Sequence, residues 1–221
     1  MLIIVSENGN PGVKLLETLS SSLLSEFEFE LKKLKNKIYG VKVGLEMFIS
    51  EGPKVVTHLK DEGWNVFLDL KLHDIPNTVK EATKSAGNIG ADYLTIHISS
   101  SKEALYEASL NKKESLKLLG VSSALTSKAI DEETSERVHL EFELAKESNV
   151  DGVICPPSEI TKSINIFDLI VSPGIRLKDD LSNDQKNITT PEKAIADGAS
   201  YIVMGRSIRN NLDYVINELN I

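Results

Sequence analysis

Short apolar runs alternate with longer amphipathic stretches along the chain, and this alternation constrains the fold more than any other feature of the sequence. Eight runs have the length and residue types of buried strands: 2–5, 39–43, 66–70, 93–97, 116–121, 152–155, 169–171 and 201–204. The stretches between them carry apolar residues at helical spacing, such as Val55, Val56 and Leu59. Strands that alternate with helices in this way are typical of parallel sheets.

The number of units favours a closed barrel over an open sheet. Eight βα units in 221 residues leave about 28 residues for each unit, which suits a compact eight-stranded parallel barrel. An open doubly wound sheet usually has fewer strands and a glycine-rich first turn, G-x-G-x-x-G, which residues 6–11 lack. No linker or change of composition divides the chain. We therefore predict a single α/β domain over residues 1–221, a (β/α)8 TIM barrel.

The overall composition argues against several classes of protein and of site. A formal net charge of −8 argues against a general binder of nucleic acid or of anionic membranes. No apolar run approaches the length of a membrane span. The single cysteine, Cys155, cannot form an intramolecular disulfide, which predicts a reducing, cytoplasmic location. The four histidines are scattered, so we expect no structural metal.

The most unusual segment is Asp69-Leu-Lys-Leu-His-Asp74, at the end of the third predicted strand. Asp69 and Lys71 are two residues apart in an extended run, so they point to the same side of the strand. Unpaired charge inside a barrel is costly, and a buried ion pair between the two is therefore the simplest interpretation. That pair leaves Asp74 unexplained, although Asp74 also suits the N-cap of a helix that starts near Pro76.

Other predicted strands also end in polar residues, at the edge where parallel barrels place their active sites. These residues are Glu7, Lys42, Thr126, Arg176 and Arg206. Gly205-Arg206-Ser207 follows an apolar strand and opens a helix, which is typical of a phosphate site. Glycine permits close approach of the backbone, and arginine offers two parallel hydrogen bonds. A surface arginine after a turn is the alternative.

The other strand-end residues have simpler interpretations as well. Lys42 also fits an outward-facing position in its strand, and Thr126 fits a hydrogen bond within its own loop. Arg176 begins a long polar connection and can pair there with Asp179 or Asp180. A connection of this length in a compact barrel is often a lid over the site.

Five ordered blocks of the sequence carry a resemblance to a known family. They are Val41-Lys-Val-Gly-Leu-Glu-Met-Phe48 with Glu51-Gly-Pro53, Asp69-Leu-Lys-Leu-His-Asp-Ile-Pro-Asn-Thr78, Leu125-Thr-Ser127, Ser172-Pro-Gly-Ile-Arg176 with Asn183-Asp-Gln185, and Val203-Met-Gly-Arg-Ser207. In this order they resemble the orotidine 5′-phosphate decarboxylase family of bacterial type. A lone D-x-K-x-x-D motif is only moderately specific, but five blocks over most of the chain form a strong signal.

The resemblance implies a homodimeric carboxy-lyase that converts orotidine 5′-phosphate to uridine 5′-phosphate and CO2 in de novo pyrimidine biosynthesis, without cofactor or metal. It implies that Lys71 donates a proton to the pyrimidine carbon and that Asp69 lies near the substrate carboxylate. It also implies that Asp74 reaches into the neighbouring subunit's site, and that Lys42 completes the charged network.

The resemblance further implies a set of residues that bind the substrate. Gln185 and Arg206 correspond to phosphate ligands, beneath a loop that closes over them, and Thr126 to a contact with the pyrimidine region. Glu7 stands nearest to the aspartate that the family has after its first strand, and is one methylene longer. The complete set of implied substrate-binding residues is Glu7, Lys42, Asp69, Ile75, Thr78, Thr126, Arg176, Gln185, Gly205 and Arg206.

Two alternative functions remain open from the sequence. The first is a magnesium-dependent sugar-phosphate decarboxylase of the same superfamily, which shares D-x-K-x-x-D on the same barrel; the continuation His73-Asp-Ile-Pro-Asn-Thr78 instead resembles the nucleotide enzyme. The second is a phosphate-ligand binding barrel without catalysis, which Glu7 favours and the intact Asp69, Lys71 and Asp74 disfavour.

Overall fold

A computed structural model of the protein describes residues 2–3, 15–19, 33–35, 37–126, 131–177, 189–205 and 212–218. Its strands are β1 Leu2–Ile3, β2 Leu15–Leu19, β3 Gly40–Gly44, β4 Asn65–Leu72, β5 Tyr93–His97, β6 Lys117–Val121, β7 Gly152–Ile154, β8 Ile170–Ser172 and β9 Tyr201–Met204. Its α-helices are α1 Leu45–Glu51, α2 Lys54–Asp61, α3 Pro76–Asn88, α4 Lys102–Asn111, α5 Glu132–Glu147, α6 Ile160–Ser163, α7 Pro191–Ala196 and α8 Leu212–Glu218. Short 3-10 helices span Ile98–Ser100, Ser123–Thr126 and Pro157–Glu159.

The strands β2 to β9 form a closed parallel barrel. They follow one another in chain order, each parallel to the next, and β2 pairs with β9 to close the ring. The two-residue β1 joins this ring in the antiparallel direction, against β2, β3 and β9. Helices follow most strands and return the chain to the amino-terminal end of the barrel. The predicted (β/α)8 architecture is therefore confirmed.

The first barrel strand differs from the one that the sequence predicts. Leu2–Ile3 makes only isolated antiparallel pairs, whereas Leu15–Leu19 runs parallel to β3 through four consecutive pairs. Glu17 and Thr18 interrupt the apolar pattern of this strand, so local sequence predicts it poorly. Its pairing with β3 and β9 decides its conformation instead. The other seven predicted strands match β3 to β9 within two residues.

Apolar side chains cover both faces of the barrel wall. An inner cluster contains Phe67, Tyr93, Leu119, Val121, Ile154, Val171, Tyr201 and Val203. A larger cluster packs the outer face of the strands against the helices, and β5 contributes Leu94 and Ile96 to it. Because both faces are buried, the strands read as nearly continuous apolar runs, which is why the sequence pattern located them.

Three tyrosines lie together at the amino-terminal end of the barrel. The hydroxyl of Tyr93 lies 2.7 Å from that of Tyr39 and 3.2 Å from that of Tyr201. Burial raises the pKa of Tyr39 to about 12 and also raises the pKa of Tyr93. The hydrogen bonds among the three hydroxyls connect Tyr39, just before β3, to β5 and β9 at the end of the barrel opposite to the predicted site.

At the same end of the barrel, two aspartates each accept a hydrogen bond from the backbone of the preceding strand. The side chain of Asp92, just before β5, accepts a hydrogen bond from the backbone N–H of Val66 in β4 at 2.6 Å, and also binds Lys60. Asp151, just before β7, accepts one from the N–H of Leu118 in β6 at 2.8 Å. Each contact satisfies an N–H group at the start of a strand, so this end is built for stability, and the opposite end is left for binding.

Candidate active site

A bulge near the carboxyl end of β4 shapes the predicted site. Phe67 and Leu68 pair with the first two residues of β5, but the next pair joins Leu72 to Ile96, so β4 advances four residues while β5 advances two. Lys71 takes up part of this difference with a left-handed backbone, at a φ of 51°. The expected same-side placement of Asp69 and Lys71 therefore arises at an irregular strand end, where a bulge redirects side chains.

Asp69 is the centre of a buried network of charge. Its Oδ2 lies 2.5 Å from Nζ of Lys42, and its Oδ1 lies 2.8 Å from Nζ of Lys71. The carboxylate accepts a third hydrogen bond from the hydroxyl of Thr95, which lies 3.0 Å from Oδ1. The side chains of Asp69 and Lys42 are 8% and 10% exposed, whereas that of Lys71 is 34% exposed. Lys71 is thus the member of this network that a bound molecule can reach most easily.

The electrostatics of this network keep Asp69 ionised. Burial raises the pKa of the Asp69 carboxyl, but the charges and hydrogen bonds of Lys42 and Lys71 outweigh it, so the pKa lies below its usual range. Burial lowers the pKa of Lys42 despite the attraction of Asp69. One carboxylate between two ammonium groups leaves a net positive charge at the barrel mouth, which favours an anionic ligand.

The outward alternative for Lys42 is wrong. Lys42 is buried and points toward Asp69 from the neighbouring strand, where β3 pairs with β4 in register. The ion pair predicted between Asp69 and Lys71 is present, but only its Asp69 partner is buried. The pair is part of a three-residue ion cluster, because Lys42 contacts the second carboxylate oxygen.

Thr95 belongs to this network and was not predicted. It is fully buried in the middle of β5, and its hydroxyl contacts both Asp69 and the backbone N–H of Lys71. The signal available in the sequence was one hydroxyl on the inward side of an apolar strand, between Tyr93 and His97, next to a strand that carries buried charge.

Asp74, Ile75 and Thr78 lie on the surface just beyond β4. All three are exposed, and Ile75 is 66% exposed. Oδ1 of Asp74 accepts a hydrogen bond from the N–H of Ile75 at 2.7 Å. The N-cap position of α3 belongs to Ile75, so the alternative that Asp74 caps this helix is wrong. Within the described part of the chain, Asp74 makes no hydrogen bond to Asp69 or Lys71, and the protomer does not bring these three groups together.

The carboxyl ends of β8 and β9 are adjacent, as the predicted phosphate site requires. Ser172 pairs with Ile202 in the parallel register, and Gly205 follows β9 directly. Arg176 is half-buried after β8; its guanidinium donates to the carbonyl of Ile175 at 2.9 Å, and its backbone N–H to the carbonyl of Thr189 at 3.0 Å. These contacts hold Arg176 just beyond the carboxyl end of β8.

Several predicted residues fall outside the described part of the chain. Glu7, Gln185 and Arg206 are among them, as are the proposed partners of Arg176 at positions 179 and 180. Thr126 ends the 3-10 helix that follows β6, and its side chain is likewise outside the described set. Their binding roles stay predictions.

Two histidines lie beside the charged network. The rings of His73 and His97 have centroids 5.6 Å apart, and His97 is half-buried at the end of β5. Burial lowers the pKa of His97, and its Coulomb interactions with His73 and Lys71 lower it further. His97 thus favours its neutral form next to the ammonium groups.

Two further observations concern the described residues as a whole. None of their helices has the length and apolar character needed to cross a bilayer. They also contain no group of three or more His, Cys, Asp or Glu side chains arranged to hold a metal ion.

The sequence and the fold are similar to those of known proteins. The family described as "Orotidine 5'-phosphate decarboxylase / HUMPS family" matches residues 19–215. An orotidine 5′-phosphate decarboxylase of Fusobacterium nucleatum subsp. nucleatum is 39% identical over 200 residues, 82% of each chain. One from Bacillus cereus is 38% identical over 216 residues, 86% of this chain and 91% of the relative.

A solved structure repeats the architecture. The crystal structure of orotidine 5′-phosphate decarboxylase from Lactobacillus acidophilus superposes with a TM-score of 0.75 at 30% identity, covering 93% of this chain and 96% of the other. The similarity thus extends over nearly the whole barrel, including the strand ends that carry the charged network.

Proposed function

Since this chain belongs to the orotidine 5′-phosphate decarboxylase / HUMPS family, we propose that it converts orotidine 5′-phosphate to uridine 5′-phosphate and CO2, as a carboxy-lyase of pyrimidine biosynthesis. The observation that carries the proposal is the Lys42–Asp69–Lys71 network, which presents one partly exposed ammonium at the barrel mouth. The proposal needs no cofactor, because the proton and the charges that the reaction requires all come from side chains of the chain.

The proposed chemical step uses Lys71 as the proton donor. The bond between the pyrimidine ring and its carboxylate breaks, CO2 leaves, and the electron pair remains on the ring carbon. The ammonium of Lys71 stabilises that charge as it develops and then protonates the carbon, which leaves the lysine neutral. Asp69 holds the ammonium at 2.8 Å, so the donor is positioned before the substrate binds.

Asp69 contributes a second effect in this proposal. An ionised carboxylate near the substrate carboxylate repels it, and the repulsion disappears as neutral CO2 departs. At an effective dielectric constant near 20, two like charges ~4 Å apart repel by about 4 kcal/mol, which is enough to influence the barrier. Lys42 neutralises Oδ2 from behind and keeps Asp69 ionised at this depth.

The other end of the substrate carries a phosphate, for which we propose the ends of β8 and β9. Gly205 allows the close approach of an anion to the backbone, and Arg206 opens the next segment with a guanidinium. Gln185 adds an amide donor, and Arg176 adds a second guanidinium. Against a net charge of −8, these local donors and cations are what retains the phosphate.

We propose that the active unit is a homodimer with shared sites. Asp74 makes no hydrogen bond to Asp69 or Lys71 of its own protomer in the described part of the chain, and it lies on the surface beside the exposed Ile75 and Thr78. A second copy would cover these three residues and place Asp74 near the Lys71 of its partner. A folded monomeric form is then expected to be nearly inactive.

The remaining roles complete the binding site. Thr126 follows β6 and would contact the pyrimidine region, and Glu7 would contact the sugar or base in place of the family's aspartate. The proposed unit is one barrel domain over residues 1–221 that works in the reducing cytoplasm. Its partners are the small-molecule substrate and a second copy of the chain, and not nucleic acid or membrane.

Release of CO2 from orotidine 5′-phosphate in the presence of EDTA tests the proposal. The purified wild type is expected to release CO2, and Lys71→Ala is expected to abolish the release. Lys84→Ala is the matched control, because Lys84 is a partly exposed lysine on α3 that forms an ion pair with Glu81 of the same helix. An inert wild type, or a Lys71→Ala variant with near-normal turnover, would contradict the proposal. Turnover of a sugar phosphate that EDTA abolishes would favour the magnesium-dependent alternative.

A further inference from the structure

We propose that Thr95 is a positioning residue that fixes both the carboxylate of Asp69 and the backbone of Lys71 in the geometry that decarboxylation needs. The expected effect on turnover rests on the proposed function, whereas the expected effect on the backbone of Lys71 does not depend on it. Thr95 is fully buried, and its hydroxyl contacts Asp69 and the backbone N–H of Lys71, so we assign it a role that acts through these two groups.

The direction of each hydrogen bond at Thr95 is determined by chemistry. Oγ1 lies 2.7 Å from the backbone nitrogen of Lys71 and 3.0 Å from Oδ1 of Asp69. An N–H group can only donate, and an ionised carboxylate can only accept. The hydroxyl therefore accepts from Lys71 and donates to Asp69, and one oxygen atom links the two catalytic groups.

The backbone of Lys71 requires such a contact. Among the described residues, Lys71 and Asn149 are the non-glycine residues whose φ lies in the left-handed region, at 51° and 59°. Asparagine adopts this region comparatively often, but lysine seldom does, because its Cβ crowds the following carbonyl. At the bulge the regular pairing with β5 is interrupted, and the Thr95 hydroxyl accepts the hydrogen bond of the Lys71 N–H.

The same hydroxyl sets the orientation of the carboxylate. Oδ1 of Asp69 accepts hydrogen bonds from the Thr95 hydroxyl and the Lys71 ammonium, while Oδ2 accepts one from the Lys42 ammonium. Thr95 is the uncharged donor of the three, and it comes from a strand that does not bulge. Loss of its hydroxyl would leave the carboxylate free to rotate toward either lysine, and would leave the Lys71 N–H without its buried acceptor.

Substitution of Thr95 separates this role from simple packing. Thr95→Val keeps the shape and removes the hydroxyl, Thr95→Ser keeps the hydroxyl and removes the methyl, and Thr95→Ala removes both. Thr83→Val is the matched control, since Thr83 is equally buried and its hydroxyl has no hydrogen-bond partner among the described residues. If Thr95→Val does not fold, the comparison of the serine and alanine variants isolates the hydroxyl.

The kinetic readout is the division between kcat and KM. Thr95→Val is expected to lower kcat by about 10- to 100-fold and to leave KM within about threefold, because misplacement affects the chemical step more than binding. In the pH profile of kcat/KM, the decline on the acid side is expected to begin at a higher pH for Thr95→Val than for wild type. The reason is that the lost hydrogen bond raises the pKa of the Asp69 carboxyl. Thr95→Ser is expected to restore kcat and the pH profile. A kcat for Thr95→Val equal to that of Thr83→Val, or a serine variant as slow as the alanine variant, would overturn the proposal.

A structural readout distinguishes failure of this inference from failure of the proposed function. Hydrogen exchange of the Lys71 backbone amide is expected to be at least about tenfold faster in Thr95→Val than in wild type, and close to wild type in Thr95→Ser. If the wild type does not decarboxylate orotidine 5′-phosphate, the proposed function fails and this measurement decides the positioning role alone. Equal exchange rates in all variants would refute it.

Discussion

The ammonium of Lys42 lies 2.5 Å from Oδ2 of Asp69, and both side chains are almost completely buried in the wall of the barrel. Removing two opposite charges from water costs free energy that their attraction repays only when the geometry is good. In the proposed mechanism the pair serves function at a cost to the fold, because it keeps an ionised carboxylate next to Lys71, the proposed proton donor.

Loss of one partner of this pair is expected to destabilise the protein. Lys42→Ala leaves the Asp69 carboxylate buried with less compensation, so the free energy of unfolding in urea should fall by about 3 kcal/mol. Lys102→Ala is the control, because Lys102 and Glu147 also lie close, at 2.6 Å, but both are 61% exposed. That control should change the free energy of unfolding by less than about 1 kcal/mol. Similar losses for both variants would show that Lys42 contributes no special stability.

The tyrosines at the amino-terminal end of the barrel predict a loss of stability in alkali. The pKa of Tyr39 is raised from 10.0 to about 12 in the folded protein. Its contribution is therefore fully present below pH 10 and is lost as the pH rises to about 12, since the unfolded chain releases the phenolic proton first.

Tyr39→Phe removes this titration. The fall in Tm between about pH 9 and about pH 11.5 should be smaller in Tyr39→Phe than in wild type, because one proton-linked step is missing. Tyr106→Phe serves as the control, since Tyr106 is 46% exposed on α4. Differential scanning calorimetry over this range measures the effect. A Tm that falls equally in wild type and Tyr39→Phe would exclude the phenol as the cause.

The sequence predicted most of the barrel because local pattern is sufficient there. β3 to β9 are buried on both faces, so each reads as an apolar run bounded by polar residues. The charged positions Lys42, Asp69 and Lys71 were also predictable, since charge in such runs is unusual and needs a partner. For β2, Glu17 and Thr18 hide the strand, and only its two neighbours define it.

The rest of the site depends on contacts that no local pattern contains. The left-handed backbone of Lys71 lies at a bulge and is bound by a hydroxyl of the next strand, so only the assembled barrel shows that Thr95 contacts it. The exposure of Asp74 is a property of a single protomer, and its proposed role requires a second copy. These are tertiary and quaternary effects, which sequence spacing does not encode.

Arg206 is expected to bind the phosphate, and Arg206→Ala tests that prediction. A hydrogen bond to a charged group contributes about 1.5–3 kcal/mol, so loss of the guanidinium should raise KM by about 10- to 100-fold. Arg137→Ala is the control, since the guanidinium of Arg137 is held on α5 by Ser123 and Thr134. Steady-state kinetics measures both variants. An unchanged KM for Arg206→Ala would move the phosphate site elsewhere.

Shared active sites predict that two inactive variants restore activity when they are mixed. In a dimer of Lys71→Ala with Asp74→Ala, one site carries both substitutions, and the other carries the native Lys71 of one chain and the native Asp74 of its partner. Random exchange of subunits makes about half of the dimers mixed, and each contains one intact site of two, so the mixture should recover about a quarter of the wild-type kcat.

The control mixes each variant with itself, which leaves both sites defective. A mixture of Thr83→Val with Lys71→Ala is a second control, because the Thr83→Val chain has native Lys71 and Asp74. Half of all sites in this mixture carry a native Lys71 and a native Asp74, so the mixture should show about half of the wild-type kcat. Refolding from denaturant ensures that the subunits exchange. If Lys71→Ala with Asp74→Ala stays inactive while mixed dimers are present by mass spectrometry, then Asp74 acts within its own protomer. The isolated position of Asp74 beyond β4 would then require the segment after β4 to move toward Asp69, rather than a neighbouring subunit to supply the group.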